Sequence, residues 1–295
     1  MDYACCRLCP RGCGVDRTAG QRGFCGMGAK LTAARAALHF WEEPPISGQR
    51  GSGAVFFSGC SLGCGFCQNT AISHGRFGAE ITSRRLREIF EDLIRQGAHN
   101  INLVTPTHFL PAILPALEEP LAVPVVYNCG GYESAETLRA LEGKVDIYLP
   151  DLKFAEAELA ARVSRAPDYF EVACAAIDEM LRQVGPPEYG PDGMLKKGVV
   201  IRHLVLPGQV QNSLKVLDYV AEHFSPGSVL LSLMAQYVPA GPLGHTPPFD
   251  RAVTPEEYDA VVSWLHMLGL EDGFLQELSA ATDEYLPDFS LEGVL

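Results

Sequence analysis

The chain has 295 residues, a hydrophobic fraction of 47% and a formal net charge of −13. That length allows one large α/β domain or two smaller ones, and the acidic balance excludes a general nucleic-acid binder. No apolar run is long enough to span a bilayer, and the start, "MDYACCRLCPRGCG", lacks the apolar stretch of a secretory signal. A cytoplasmic protein with no membrane and no nucleic-acid partner is therefore expected. Without an export signal, its ten cysteines point to metal or cluster ligation rather than disulfides. The acids are concentrated: residues 250–295 carry 11 against one base, Arg251, and read as a solvated surface.

Residues 1–30 are rich in cysteine and glycine and nearly free of apolar periodicity, so they read as a small module folded around a metal. A connector follows, "HFWEEPPISGQRGSG". There His39, Glu42 and Glu43 are candidates to face the site, but a helix end followed by a solvated loop is the preferred reading. The division is a cysteine-rich module with connector over 1–50 and a barrel with C-terminal extension over 51–295.

From Gly53 onward, short apolar runs alternate with helical patterns. "AVFFSG" predicts a buried strand. "TSRRLREIFEDLIRQG" predicts an amphipathic helix capped by Thr82 or Ser83. "NINLVT" is a second strand, followed by a helix, "THFLPAILPALE", interrupted by Pro111 and Pro115. Strand "PVVYNC" and helix "SAETLRALEG" come next, then strand "VDIYLPDLK" and the long helix "PDYFEVACAAIDEMLRQVG". "GPPEYGPDGMLKKG" reads as a surface loop. "VVIRHLVLPG" is a fifth strand, "QNSLKVLDYVAEHF" a helix and "SVLLSLMAQYV" a sixth strand. Thr254 and Pro255 open the last helix, and "GFLQEL" is a candidate extra strand.

Strand–helix alternation implies a parallel sheet. About six units are too few for a closed eightfold barrel. The expected fold class is α/β, a partial (β/α)6 TIM-like barrel, with an open doubly wound sheet as the alternative. Polar residues recur at the C-terminal strand ends: Thr105 and Thr107, Asn128, Asp151 and Lys153, Arg202 and His203, and Gln236. In α/β barrels that rim carries the chemistry.

The first strand leads into "SGCSLGCGFCQNT", in which Cys60, Cys64 and Cys67 have the spacing C-x3-C-x2-C. Three thiolates on a four-iron cluster leave one iron open to a small molecule. A zinc site with a remote fourth ligand, or buried free cysteines, would be the plainer readings.

With Phe66 and the downstream units, the motif resembles the radical S-adenosylmethionine superfamily over about Gly53 to Met234. The resemblance implies a [4Fe–4S] cluster on Cys60, Cys64 and Cys67. It implies that S-adenosylmethionine chelates the open iron through its amino and carboxylate groups. Reductive cleavage of the sulfonium would release a 5′-deoxyadenosyl radical that takes hydrogen from a substrate. A reductant such as flavodoxin or ferredoxin would supply the electron. "YNCGGYES", "YLPDLK" and "VIRHLVLPG" resemble the pyruvate formate-lyase activating enzyme branch, which implies a glycine of a partner protein as the substrate. In that branch Phe66 matches the position against the adenine, and Asn128, Asp151 and Lys153 match positions near the cofactor. Two of those positions help hold a monovalent cation. Asp151 keeps the expected carboxylate, whereas Asn128 replaces one. Arg202 matches a basic position near the cofactor carboxylate or the substrate peptide. "VTPTHF" stands where the branch has Gly-Gly-Glu, so Thr105, Thr107 or the adjacent carbonyls would accept the cofactor's amino group.

A second group, Cys6, Cys9, Cys13 and Cys25, suits a closed tetrathiolate site. Either [4Fe–4S] or zinc would fit. The cluster is favoured because a second centre could pass electrons to the first. Cys5 is an alternative to Cys6, and Cys129 and Cys174 read as small buried residues. With "HFWEEPPISG" and "LVTPTHF", this module resembles a group of uncharacterised activating-enzyme homologues over nearly the whole chain. The competing class is a non-catalytic iron–sulfur electron carrier or a zinc-stabilised binding protein. A fourth protein ligand at the triplet would favour it.

Overall fold

The computed structural model describes residues 2–281 and 287–295. Its strands are β1 (Thr32–His39), β2 (Ser52–Phe57), β3 (Ala79–Glu80), β4 (Ile101–Val104), β5 (Val125–Cys129), β6 (Ile147–Pro150), β7 (Glu188–Tyr189), β8 (Leu195–Leu204), β9 (Leu230–Met234) and β10 (Gly273–Leu275). Its α-helices are α1 (Pro44–Ser47), α2 (Thr70–Ser73), α3 (Ser83–Arg95), α4 (Leu110–Ile113), α5 (Ala135–Leu138), α6 (Ala157–Ser164), α7 (Tyr169–Val184), α8 (Val210–His223) and α9 (Pro255–Met267).

The sheet runs β10-β9-β8-β6-β5-β4-β2-β1-β3, with β7 paired to β8 off this path. From β2 to β10 the neighbours follow chain order and every pairing is parallel. A doubly wound sheet would reverse its order at a switch point. Here the winding keeps one direction, as in a barrel. β10 and β3 end the path without meeting, so the barrel is partial. The candidate strand "GFLQEL" is realised as β10, parallel to β9.

Side chains alternate across this wall. Leu103, Tyr127, Tyr148, Ile201 and Leu231 point outward into the core shared with the helices. Val126, Ile147, Leu149, Val200 and Leu230 point inward. Thr82 caps α3 by accepting the Arg85 N–H at 3.1 Å, which decides between the two candidate caps. Thr254 and Glu257 form a reciprocal capping box on α9. The segment expected as one helix around Pro111 and Pro115 is a 3-10 turn, α4 and a second 3-10 turn, since each proline removes an N–H.

The connector differs from expectation. Thr32–His39 is not a helix but β1, antiparallel to β2. Four alanines in TAARAALH favour a helix locally, yet the edge of β2 takes this segment as its partner. The chain then turns inward, and α1 closes the floor of the barrel. Ile46 is fully buried among Val126, Ile147, Leu149, Val200 and Leu230. The predicted surface loop over 185–198 is partly extended, with β7 pairing against the start of β8. Among the described residues no helix is long and apolar enough to cross a membrane.

The floor gives a direct stability test. Ile46→Ala should cost about 3 kcal/mol in urea unfolding, as for a large-to-small change in a filled core. A loss under about 1 kcal/mol would mean that the floor is loosely packed.

Candidate active site

The triplet loop leaves β2 at the C-terminal rim. Gly59 has φ 81, and a Cβ there would lie 2.4 Å from Met27 Cγ and 2.8 Å from the Cys25 carbonyl oxygen. Glycine therefore lets the N-terminal segment lie against the loop. The three thiols have donors in place. Leu62 and Gly63 N–H point at Cys60 Sγ at 3.3 and 3.5 Å. The Ser164 hydroxyl donates to Cys64 Sγ at 3.1 Å, and the Ser73 hydroxyl to Cys67 Sγ at 3.3 Å. Burial pushes Cys60 up to about 11 and Cys64 up to about 12. All ten cysteines are free thiols. Among the described residues no three or more His, Cys, Asp or Glu side chains are grouped to hold a single metal ion.

All three thiols line one cavity of about 650 Å³ inside the barrel. Phe66 lines it too, its ring stacked on Phe249 at 6.2 Å and met edge-on by Phe154 at 6.2 Å. These contacts fix the ring as a rigid apolar face.

Below the rim lies a layer of charge, centred on Arg202. Its Nη1 is 2.9 Å from Glu42 Oε2, its Nε is 3.4 Å from Asp151 Oδ1, and its Nη2 donates to Asn128 Oδ1. Lys153 pairs with the other oxygen of Asp151. Glu42 Oε1 accepts from Asn102 Nδ2 at 2.8 Å and Asn128 Nδ2 at 3.2 Å. The predicted residues Asn128, Asp151, Lys153 and Arg202 thus come together. The guanidinium lies between Asn128 and Asp151, where the resemblance had implied a monovalent cation. Glu42 and Glu43 correct the expectation of a solvated loop, because both line the cavity. The cause is β1, which delivers them to the barrel floor.

Thr105 lines the cavity with φ 58, an uncommon left-handed conformation for threonine, and its N–H donates to the Asn128 carbonyl at 2.8 Å. Thr107 does not reach the cavity. It is buried and shares a 2.6 Å hydrogen bond with the Tyr127 hydroxyl on the outer face. His203 also points outward, bonded to the Leu152 carbonyl at 2.7 Å and the Ser213 hydroxyl at 2.9 Å. Burial pushes its imidazole down to about 4. Gln236 and Cys129 line the cavity.

The N-terminal cysteines are drawn into one neighbourhood. Cys9 is pushed up to about 12, chiefly by burial, and feels Cys25 and Cys13, while Cys25 feels Cys6 and Cys13. Cys5 is exposed. The module packs against the barrel. Leu8 and Met27 are buried, and Met27 belongs to the main core. Arg11 donates to the Ser61 and Ser164 carbonyls at 2.9 and 2.7 Å, tying the module to the triplet loop and to the end of α6. Arg17, 2% exposed, donates to the Gly28 and His108 carbonyls. Glu133, which sequence reasoning missed, is buried, and its carboxyl raises both Cys9 and Cys60. Burial pushes Glu133 itself up to about 8.

No family model matches the chain. An uncharacterized protein of Methanocaldococcus jannaschii, MJ0674, is 28% identical over 277 residues, covering 90% of this chain and 75% of its own length. Among solved structures, SuiB of Streptococcus suis bound to S-adenosylmethionine aligns at TM-score 0.47 and 13% identity, over 76% of this chain and 47% of that one. Methylornithine synthase (PylB) aligns at 0.49 and 15%, over 79% and 75%. HydG, a maturase of the [FeFe]-hydrogenase, aligns at 0.49 and 14%, over 73% and 49%. The chain therefore spans about half the length of SuiB and HydG.

Two outcomes test this site. Arg202→Met strands the buried Glu42 carboxylate and should cost about 3 kcal/mol or more. Adding Glu42→Gln should recover part of that loss in a double-mutant cycle, and strictly additive losses would rule out the pairing. His203 has a folded-state pKa of about 4, below its ordinary 6.5. Its contribution is therefore complete above about pH 6.5 and is lost as pH falls toward about 4. By pH 5 it should have lost about 2 kcal/mol. His203→Gln should shrink the measured drop between pH 7 and pH 5 by that amount, and an unchanged drop would mean that His203 titrates normally.

Proposed function

We propose that this chain is a radical S-adenosylmethionine enzyme. The observation that carries the proposal is that three thiols from one rim loop open into the same cavity as Phe66, Asp151, Lys153 and Arg202. The donor set suits an iron–sulfur cluster, because each thiolate would bind its own iron. Structural zinc instead draws four ligands to about 2.3 Å of one ion. The N–H and O–H donors at the three sulfurs would stabilise thiolates once iron supplies the positive charge that burial demands.

With Cys60, Cys64 and Cys67 as ligands, a [4Fe–4S] cluster would supply the electron that cleaves S-adenosylmethionine to a 5′-deoxyadenosyl radical. The chain's own residues bind and shield. Phe66 offers an apolar face for the adenine. Lys153, held by Asp151, presents an ammonium to the cofactor carboxylate. Thr105, its backbone turned at positive φ, lines the cavity where the amino group needs an acceptor. The closed floor and the aromatic wall exclude water from the radical.

The finer reading follows the activating-enzyme branch: hydrogen abstraction from a glycine of a partner protein, with flavodoxin or ferredoxin as reductant. Cys6, Cys9, Cys13 and Cys25 would hold a second centre, for which [4Fe–4S] is favoured over zinc. Arg11 supports that choice by tying the module to the triplet loop, as a centre that passes electrons to the first would require.

After anaerobic reconstitution with iron and sulfide and reduction by dithionite, the wild type should form 5′-deoxyadenosine. Cys60→Ala, Cys64→Ala and Cys67→Ala should each fall to background while keeping the fold. Undiminished product in any one variant would overturn the assignment. In the triple variant, iron with labile sulfide at the remaining cysteines identifies the second cluster. Zinc would make it a structural knot, and neither metal would remove the site.

A further inference from the structure

The charge layer in the barrel does not balance. Three carboxyl groups, Glu42, Glu43 and Asp151, share the cavity with two fixed cations, Lys153 and Arg202. Both cations are committed: Lys153 to Asp151, and Arg202 to Glu42 and Asp151. Glu43 is left over. It is 8% exposed, its Oε2 has no hydrogen-bond partner, and it lines the cavity. The Ser232 hydroxyl, on the facing strand, supports the carboxyl.

The Glu43 side chain cannot swing out of the cavity into bulk water. Its carbonyl accepts the Ile46 and Ser47 N–H groups at 2.8 and 3.1 Å, so its backbone opens the helix that closes the floor. Withdrawing the side chain would mean unpacking Ile46. A buried carboxyl whose nearest cation is already shared with other carboxylates keeps its proton or finds another cation. Burial first, and then the neighbouring Glu42, push this one up, while Arg202, already paired with Glu42 and Asp151, pulls it down. The approach to it suits a cation as well. Trp41, 54% exposed, and Phe274 line the same cavity, and aromatic faces attract positive charge.

We infer that Glu43 and Ser232 form a subsite for a nitrogen cation, a primary ammonium or a guanidinium, carried by the substrate into the floor of the barrel. This rests on the reading of the cavity as catalytic and names what its substrate must carry. On binding, the Glu43 proton leaves to solvent and the carboxylate pairs with the incoming cation. The cofactor also carries an ammonium group. Ser232 lies in register with Arg202, which contacts Asp151, so the two sources share one level of the barrel and the affinity for S-adenosylmethionine separates them.

The test uses the full reconstituted chain and four probes: n-butylguanidinium, n-butylammonium, n-butanol and n-butyrate. Calorimetry should show the two cations binding the wild type with release of a proton. Glu43→Gln should weaken them by about tenfold or more, and Ser232→Ala by less. Butanol should bind more weakly than either cation, and equally to wild type and variant. Equal cation binding by wild type and Glu43→Gln, or butanol or butyrate matching the cations, would overturn the subsite. A loss of S-adenosylmethionine affinity in Glu43→Gln would assign the carboxylate to the cofactor and overturn it too. The binding measurement requires no turnover. A wild type that forms no 5′-deoxyadenosine but binds the cations would sink the catalytic reading and leave the cation site standing.

Discussion

One guanidinium organises the interior of this protein. Arg202 points inward because β8 alternates, and inside it meets Glu42 from the connector, Asp151 from the end of β6 and Asn128 from β5. A bare charge at that depth would be strongly destabilising. Two carboxylates and an amide make it tolerable. In return, the guanidinium fixes the place of three strands and of the plug below them. A buried pair of this kind contributes more to specifying one arrangement than to net stability. That suits a cavity whose walls must hold reactive groups still.

The winding of the sheet explains why these groups can meet. Parallel strands in chain order place every inward residue around one axis, so a polar position near the end of each strand becomes one ring of side chains. The incomplete wall leaves room for β1 and the connector to enter from the floor. The N-terminal module then covers the rim. Met27 lies against Gly59, and Arg11 grips the triplet loop and the end of α6. Module, plug and barrel form one packed unit rather than a barrel with an appendage.

Much of the barrel was legible in the sequence, for physical reasons. Buried parallel strands read as apolar runs, and the amphipathic pattern of α3 and the capped start of α9 follow local rules that tertiary contacts did not override. The triplet was legible because three ligands on one loop must be close in sequence. Glu42 was not, since its partners Asn102, Asn128 and Arg202 lie 60 to 160 positions away and only the folded wall brings them together. Its one local signal was a pair of acids just before Pro44-Pro45, which a surface loop explains equally well. β1 was hidden by its alanines. Thr107 was placed in the site by its closeness to Thr105, but the left-handed turn at Thr105 sends the chain outward, to Tyr127. Glu133 carried no motif at all, and its burial between the two cysteine groups is a property of the fold alone.

The central claim is that the three thiols hold a cluster whose remaining iron faces the cavity and is open to S-adenosylmethionine. Electron paramagnetic resonance of the reduced, anaerobically reconstituted chain tests this most directly, using the variant that lacks the four N-terminal cysteines so that one cluster gives the signal. The account predicts a cubane spectrum whose g-values shift when S-adenosylmethionine is added. A spectrum unchanged by saturating S-adenosylmethionine, or no cluster in that variant, would contradict it.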